Sequence, residues 1–255
     1  MKQYIQEFAE ILDVAAKDSK AVEQLSTKAK ITLADAYLIQ KESIDRRISR
    51  SEKITGIKLG FTSKAKMEQM GVHDLIWGRL TNTMEIKNEG VLHLENFIHP
   101  RAEPEIAYLV KKDIKTSLTR EEALEYIESV APAIEIIDSR YKNFKFSLED
   151  VIADNCSSSA YVIGAWKPAD TDVSNVDLTL NINGETVESG NTNAILGNPL
   201  ESFLEATRLA FQYGISLKKG MVILAGAATS AAFIKKNDAI EADFKMLGKV
   251  TLSVQ

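Results

Sequence analysis

Two glutamates in the segment Glu103-Pro104-Glu105 could act together on one ligand. Residues two apart in a strand project from the same face, so the two carboxylates repel each other unless a cation lies between them. Proline cannot donate to the hydrogen-bond ladder of a sheet, so the segment is predicted to be a strand start or an edge strand, where a ligand has access. The alternative is an acidic strand end that is merely solvated.

A third carboxylate, Glu135, interrupts the apolar run of residues 133–137. A buried carboxylate is costly and is normally neutralised, paired with a cation or bound to a metal. Three carboxylates without cysteine or paired histidine ligands favour a hard divalent cation such as Mg²⁺, with Mn²⁺ as the alternative. The competing interpretation is a buried salt bridge from Glu135 to Arg101 or Arg140.

Lys58 lies within the apolar segment 57–61. A lysine in a buried strand is a candidate for a lowered pKa and proton transfer, or for holding a substrate carboxylate. The alternative is a lysine that reaches solvent from an edge strand. Further along the chain, Asp154 and Asn155 could orient a water or a metal ligand, and residues 157–159, all serines, could donate to an anion. The alternative for both groups is turn formation.

Other catalytic chemistries find little support in the sequence. The three histidines, His73, His93 and His99, are scattered, and there is no HExxH motif, GxSxG elbow, GxGxxG turn or Walker loop. Nucleotide chemistry is therefore disfavoured. The single cysteine, Cys156, excludes an internal disulfide and a cysteine-built zinc site, and it favours a reducing, cytoplasmic setting.

The composition is that of a folded protein, with 45% hydrophobic and 26% charged residues in 255. The formal net charge is -5 and no basic stripe dominates, so nucleic-acid binding is not expected. No apolar run approaches the roughly 18 residues that span a bilayer, and the opening residues lack the unbroken apolar stretch of a signal peptide, so we expect no membrane partner.

Periodicity and capping signals predict the elements that must position these side chains. The predicted helices cover an amphipathic opening segment 1–20, residues 32–51 behind a Thr32–Asp35 capping box, 63–70, 119–130 behind a Thr119–Glu122 box, and 198–214. The predicted strands cover 54–61, 103–110, 132–138, 157–166, 177–189 with an Asn183-Gly184 hairpin, 221–228, 239–244 and 249–254. Because few βαβ alternations occur, we expect an α+β protein with a mixed or barrel-like sheet. The predicted division is an N-terminal helical portion, 1–75, and a β-rich catalytic domain, 76–255, with one compact unit as the alternative.

Five ordered segments resemble the 2-keto-4-pentenoate hydratase / 4-oxalocrotonate decarboxylase group of the fumarylacetoacetate hydrolase superfamily. They read GIKLGFTSKAKMEQMGV, HPRAEPEIAYLV, APAIEIIDSR, FSLEDVIADNCSSS and GNPL…GMVILAGA, within a resemblance that runs from about residue 30 to 255. The resemblance implies a mixed β-barrel or roll with an N-terminal α/β portion and peripheral helices. It further implies a Mg²⁺ site whose ligands are Glu103, Glu105 and Glu135. The catalytic residues that it implies are Lys58, Asp154 and Ser159.

Two activities occur in this group, and two segments of the chain distinguish them. Hydratases commonly carry an acid where this chain has Ile76, and they tend to read SGALG where this chain reads AGAAT. The resemblance therefore implies decarboxylation of 2-oxohex-3-enedioate (4-oxalocrotonate) to 2-hydroxypenta-2,4-dienoate in meta-cleavage degradation of aromatic compounds. It also implies a homo-oligomer and a sister hydratase that takes up the product. The alternatives are a 2-oxopent-4-enoate hydratase and, more distantly, a non-catalytic subunit.

Overall fold

Five helices form in the part of the chain that the computed structural model describes, which is residues 2–63, 67 and 74–255. They are α1 (Gln3–Lys17), α2 (Leu33–Ser49), α3 (Arg120–Tyr126), α4 (Leu148–Ala153) and α5 (Pro199–Gln212). The capping box that opens α2 is present, since Thr32 Oγ1 accepts from the Asp35 amide while Asp35 accepts from the Thr32 amide. Among the described helices, none combines the length and apolar character that crossing a lipid bilayer requires.

A curled nine-stranded mixed sheet forms the centre of the molecule. Its main path is β2 (Ile76–Thr81), β1 (Ile54–Gly60), β11 (Val222–Ala227), β5 (Arg101–Val110), β6 (Ile127–Ile137), β7 (Ser158–Ile163) and β3 (Glu85–Ile86). Two short strands join it from the sides: β12 (Ala232–Phe233) pairs with β5, and β8 (Lys167–Pro168) pairs with β6. The β1–β11 pair is parallel and the β11–β5 and β5–β6 pairs are antiparallel. The prediction of an α+β protein with a mixed, barrel-like sheet is confirmed.

A second sheet of five strands packs beside the first. Its order is β10 (Glu185–Asn191), β9 (Asp177–Ile182), β13 (Ala239–Asp243), β14 (Lys249–Val254) and β4 (Gly90–Leu92). The β9–β10 hairpin turns at Asn183 and Gly184, whose φ angles of 55° and 81° are those of the tight turn that this dipeptide predicts.

The N-terminal helices cover the outer side of the sheet near β2. The buried Gln40 amide of α2 donates to the carbonyl oxygens of Trp77 in β2 and Ile152 in α4, at 3.0 and 2.9 Å. The Trp77 ring stacks on Tyr37 of the same helix, with centroids 5.2 Å apart. Since β1 is hydrogen bonded to β2 and to β11, a strand from the first 75 residues lies inside the sheet of the β-rich part. The division at residue 75 stays a prediction.

One predicted helix ends earlier than expected, one observed strand was not predicted, and one predicted helix is not tested. The helix opened by the Thr119–Glu122 box ends at Tyr126 and not at Val130, because residues 127–137 pair with β5 and tertiary pairing overrides local helix preference. Strand β2 was not among the predicted strands. The helix predicted over residues 63–70 falls largely outside the described residues.

Candidate active site

The three glutamates meet on the concave face of the main sheet. Glu103 lies directly opposite Glu135 in the antiparallel β5–β6 pair, and Glu105 follows two residues along β5, so all three carboxylates project from one face. One carboxylate oxygen from each lies within 4.8 Å of those from the other two. Glu105 and Glu135 are fully buried and Glu103 is 8% exposed. The solvated strand end that the sequence left open is therefore wrong.

Pro104 lies inside a ten-residue strand, and not at the strand start or sheet edge that the sequence predicted. The neighbouring strand β11 is bulged between Leu224 and Ala227, so the ladder is irregular where the proline lacks a donor. At that bulge the Gly226 amide turns away from the ladder and donates to Glu105 Oε2 at 2.7 Å. The bulge therefore accommodates the missing backbone donor of Pro104 and also fixes the orientation of the Glu105 carboxylate.

Lys58 reaches the same cluster from β1. It is 3% exposed, and β1 lies between two strands, so the interpretation as an edge-strand lysine is wrong. Its Nζ lies 2.7 Å from Glu135 Oε2 and donates to the Cys156 carbonyl at 3.3 Å. The salt-bridge partner of Glu135 is thus Lys58, and neither Arg101 nor Arg140 takes that place.

Burial and charge act in opposite directions on the Lys58 amine. Burial alone lowers the pKa of Lys58, but the charges of Glu135, Glu105 and Glu103 outweigh it, and the pKa is raised. The lowered pKa expected from the sequence is wrong for the protein without metal. Burial also raises the pKa of Glu105 and of Glu135, with the charge of Lys58 acting against it. Among the residues that the structure describes, one ammonium therefore faces the three carboxylates.

The donor set fits a hard divalent cation. All three ligand atoms are carboxylate oxygens, which Mg²⁺ and Mn²⁺ prefer. Buried Glu105 Oε1 accepts no hydrogen bond from any residue that the structure describes, and such an atom normally has a partner. A divalent ion would supply that partner together with positive charge beside the three carboxylates.

A cavity of about 630 Å³, named here the Lys58 cavity, opens above the cluster. Its walls are partly apolar and partly charged, with Lys58, Glu103 and Arg101 beside Phe61, Ile76, Phe144, Phe146 and Ser157 among the lining residues. The cavity therefore combines a place for a charged small molecule with surfaces that exclude water.

Asp154 and Ser159 do not line the Lys58 cavity. Asp154 accepts the Arg140 backbone amide at 2.9 Å and also pairs with the Arg140 guanidinium, which donates to Ser159 Oγ as well. All three residues border a separate cavity of about 430 Å³ under α1 and α2. Burial raises the pKa of Asp154 to about 6, while Arg140 acts to lower it. Participation of Asp154 and Ser159 in catalysis stays a prediction.

Two other serines of the run 157–159 contact the site, although the resemblance implied only Ser159. Ser158 Oγ donates to Glu135 Oε1 at 2.7 Å. Ser157 lines the Lys58 cavity, and its buried Oγ has no hydrogen-bond partner among the described residues. The run of three serines was visible in the sequence. However, residues 155–157 all have positive φ, so alternation along a strand could not say which serine faces which cavity.

Both a protein family and individual enzymes are similar to this chain over most of its length. The family described as fumarylacetoacetate (FAA) hydrolase C-terminal matches residues 53–255. A 4-oxalocrotonate decarboxylase from Pseudomonas sp is 48% identical over 98% of this chain and 97% of its own. A 2-keto-4-pentenoate hydratase from Paraburkholderia xenovorans (strain LB400) is 32% identical over 97% of this chain and 94% of its own.

A solved structure is similar along the whole chain. The 4-oxalocrotonate decarboxylase from Pseudomonas putida G7, complexed with magnesium and adipate, superposes with a TM-score of 0.94 at 32% identity. The match covers 100% of this chain and 98% of that one.

Proposed function

The chain belongs to the fumarylacetoacetate hydrolase family, and from that membership we propose that the Lys58 cavity is the active site of a metal-dependent 4-oxalocrotonate decarboxylase. The enzyme is a carboxy-lyase that converts 2-oxohex-3-enedioate to 2-hydroxypenta-2,4-dienoate and CO₂ in meta-cleavage degradation of aromatic compounds. The observation that carries the proposal is the buried cluster of three glutamates and one lysine at the base of a partly apolar cavity.

Glu103, Glu105 and Glu135 are proposed to hold Mg²⁺, with Mn²⁺ as the alternative. When bound, the ion supplies Lewis acidity to the keto oxygen and the adjacent carboxylate of the substrate. The chain contributes the orientation of the ligands: the Gly226 amide fixes Glu105, and Ser158 together with Lys58 fixes Glu135. Hydrogen bonds of this kind set the direction in which a carboxylate presents its free lone pairs.

Lys58 is proposed to hold a substrate carboxylate or to deliver the proton that completes the reaction. Its ammonium group lies at the base of the cavity and beside the carboxylate cluster. A protonated lysine can do both, since it carries three donor hydrogens and only part of its donor capacity is used by Glu135 and the Cys156 carbonyl.

The apolar wall favours decarboxylation over the hydratase alternative. Ile76 is 4% exposed and lines the cavity where hydratases of this group commonly carry an acid. Hydration of a double bond needs a water molecule that an acid or base positions, whereas loss of CO₂ benefits when water is excluded.

Asp154 and Ser159 are proposed to act through Arg140 and not on the substrate. The Arg140 guanidinium donates to the Asp154 side chain, to the Asp154 carbonyl and to Ser159. These bonds tie both ends of the short turn that contains Ser157, so they position that serine and the strand start. Ser157 itself is the serine that we propose as a donor to substrate, because it lines the cavity and its hydroxyl has no hydrogen-bond partner among the described residues.

The proposal also covers the partners of the enzyme, its oligomeric state and its cellular location. A sister hydratase is proposed to take up the reactive dienol product, and the enzyme is proposed to be a cytoplasmic homo-oligomer. The family relatives include hydratases of this chemistry, which supports a paired reaction. The chain is proposed to divide functionally into residues 1–75 and 76–255, with strand β1 completing the catalytic sheet.

CO₂ release from 2-oxohex-3-enedioate, measured with and without Mg²⁺, tests the proposed function. We expect release that depends on the metal and that exceeds hydration of 2-oxopent-4-enoate by the same preparation. A faster hydration than CO₂ release would replace the decarboxylase with the hydratase. Turnover of neither substrate by the isolated, metal-loaded chain would support the non-catalytic alternative.

A further inference from the structure

Arg101 stands on the same sheet face as the carboxylate cluster. It begins β5, two residues before Glu103, and residues two apart in a strand share a face. Its cross-strand neighbour in β12 is Phe233, and it lines the Lys58 cavity. Arg101 therefore places a cationic group on the same strand as Glu103 and Glu105, next to the cluster.

Two aromatic rings hold this guanidinium in place. Its central carbon lies 4.0 Å from the ring centroid of Phe144 and 4.1 Å from that of Phe233. Stacking on ring faces leaves the edge of a guanidinium, with its N–H groups, free to bind another molecule. No carboxylate in the described part of the chain pairs with Arg101, and its buried Nε finds no acceptor there. A cation held this way has unused donors in a fixed plane.

The spacing matches a dicarboxylate of the proposed size. Two residues along a strand cover roughly 6.6 Å, which separates the backbone positions of Arg101 and Glu103. The two carboxyl carbons of an extended six-carbon diacid lie roughly 6 Å apart. The length of an extended six-carbon diacid is therefore comparable to the backbone spacing between Arg101 and the first glutamate of the cluster.

We propose that Arg101, clamped between Phe144 and Phe233, is the subsite that binds the distal carboxylate of the substrate. The inference rests on the proposed function and deepens it, because it names the residue that selects a dicarboxylate over a monocarboxylate. A planar guanidinium binds a carboxylate through two parallel hydrogen bonds, which gives the contact both affinity and selectivity for a second carboxylate.

The subsite also distinguishes substrate from product. The bond between C5 and C6 breaks, C6 leaves as neutral CO₂, and the electron pair passes through the double bond to the keto oxygen, which takes up one proton. The product keeps only the carboxylate next to the former keto group. It therefore loses the contact with Arg101, and we expect it to bind more weakly than the substrate.

Calorimetric titration of the Mg²⁺-loaded protein tests this subsite with two ligands of equal length, adipate and hexanoate. For Arg101→Gln we expect adipate affinity to fall about 10- to 100-fold, the range of a lost charged hydrogen-bond pair, while hexanoate affinity changes less than about threefold. Arg101→Lys should retain part of the preference. In turnover, the KM for 2-oxohex-3-enedioate should rise in parallel, with kcat changed less than about threefold.

The outcomes separate this inference from the proposed function. An adipate preference that survives in Arg101→Gln overturns the subsite, whatever the turnover. So does a preference that is lost instead in Lys145→Gln, since Lys145 is an exposed cation that also lines the cavity. If the wild type releases no CO₂ but Arg101→Gln still loses the adipate preference, the subsite stands and the proposed reaction fails. Thermal melting and Mg²⁺ titration of each variant identify any loss caused by misfolding.

Discussion

At the scale of single residues, both oxygens of Glu135 have assigned neighbours. Ser158 donates to Oε1, and the Lys58 ammonium lies against Oε2. Because the carboxylate is buried, both contacts act without competition from water and are stronger than they would be at a surface. The orientation of this glutamate is therefore set before any ligand arrives.

Replacing Glu135 with glutamine removes one anionic ligand at nearly constant volume. We expect Mg²⁺ affinity to fall and turnover to drop by about two orders of magnitude. The fold should survive, because Glu103 and Glu105 remain to balance Lys58. Calorimetric Mg²⁺ titration, CO₂ release and thermal melting check this. Near-wild-type turnover at low Mg²⁺ would remove Glu135 from the ligand set.

Replacing Lys58 with methionine removes the ammonium group but keeps much of the packing of its stem. Turnover should be lost. Mg²⁺ should bind at least as tightly as in the wild type, since a cation that competes for the same carboxylates is gone. The same titration and CO₂ assay measure both effects. Weakened Mg²⁺ binding in a variant with an unchanged Tm would contradict this account of the cluster.

Replacing Ile76 with aspartate tests the choice of reaction. Two negative charges about 4 Å apart at an effective dielectric constant near 20 repel by roughly 4 kcal/mol, so the dicarboxylate should bind poorly. The monocarboxylate 2-oxopent-4-enoate should be affected far less, because its charge lies at the other end. The measurement is the ratio of CO₂ release to hydration in wild type and variant. An unchanged ratio would mean that Ile76 does not discriminate between the reactions.

At the scale of elements, the bulge in β11 places Gly226 where only glycine fits. Its φ is +101°, and a Cβ built there would lie 2.2 Å from Thr62 Oγ1. The amide of this glycine holds Glu105, so the shape of the strand and the geometry of the site depend on the same residue.

Gly226→Ala should lower the free energy of unfolding by about 2 kcal/mol or more and should weaken Mg²⁺ binding, because the alanine is strained and crowded. Gly220→Ala is the matched control: its φ is +82°, but a Cβ there would contact nothing within 4 Å. The control should show the backbone penalty alone, with Mg²⁺ affinity unchanged. Equal effects in both variants, measured by melting and titration, would exclude a role for crowding at Thr62.

The candidate site was predictable from the sequence where side-chain type and strand alternation decide it. A carboxylate inside an apolar run, a pair two residues apart and a lysine in a strand were enough to indicate Glu135, Glu103, Glu105 and Lys58. The contacts that orient them were not predictable. The Gly226 amide reaches Glu105 only through a bulge, and bulges and positive-φ turns leave no clear periodic signal. Strand β2 was missed because IWGRLT lacks regular alternation.

At the scale of the whole molecule, the N-terminal segment is tied down by one buried acid. Asp35 accepts from Lys2 Nζ at 2.7 Å, Tyr4 Oη at 2.8 Å and Thr32 Oγ1 at 2.7 Å. Asp35 thus joins α1 to the start of α2. The sequence predicted the fold class from its mixture of helices and strands, but it did not predict this contact between the two helices. The hydrogen bond from Lys2, together with those from Thr32 and Tyr4, holds the pKa of Asp35 well below its usual range.

Asp35→Asn should lower the free energy of unfolding at pH 7 by about 1–2 kcal/mol, the range for a lost cap. A carboxyl whose pKa is lowered by folding stabilises the fold above its unfolded pKa, near ~4, and that contribution is lost as the pH falls further. The difference in Tm between wild type and variant should therefore shrink from pH 7 to pH 3. Glu7→Gln, which removes an exposed carboxylate of α1, is the control, and a difference that stays constant with pH would contradict the prediction.

The parallel pairing of β1 with β11 has a consequence for the order in which the chain folds. Lys58 arrives with β1 early in the sequence, but its neighbouring strand ends only at Ala227. During synthesis the ribosome releases the first strand long before its partner, so the central sheet cannot close until most of the protein has emerged. Closing such a distant contact makes folding slow and exposes unpaired strand edges meanwhile. The three carboxylates of the cluster lie on the neighbouring strands β5 and β6, but the Gly226 amide that holds Glu105 and the sheet position of Lys58 both depend on β11. The site therefore gains its full set of contacts only late in the maturation of the chain.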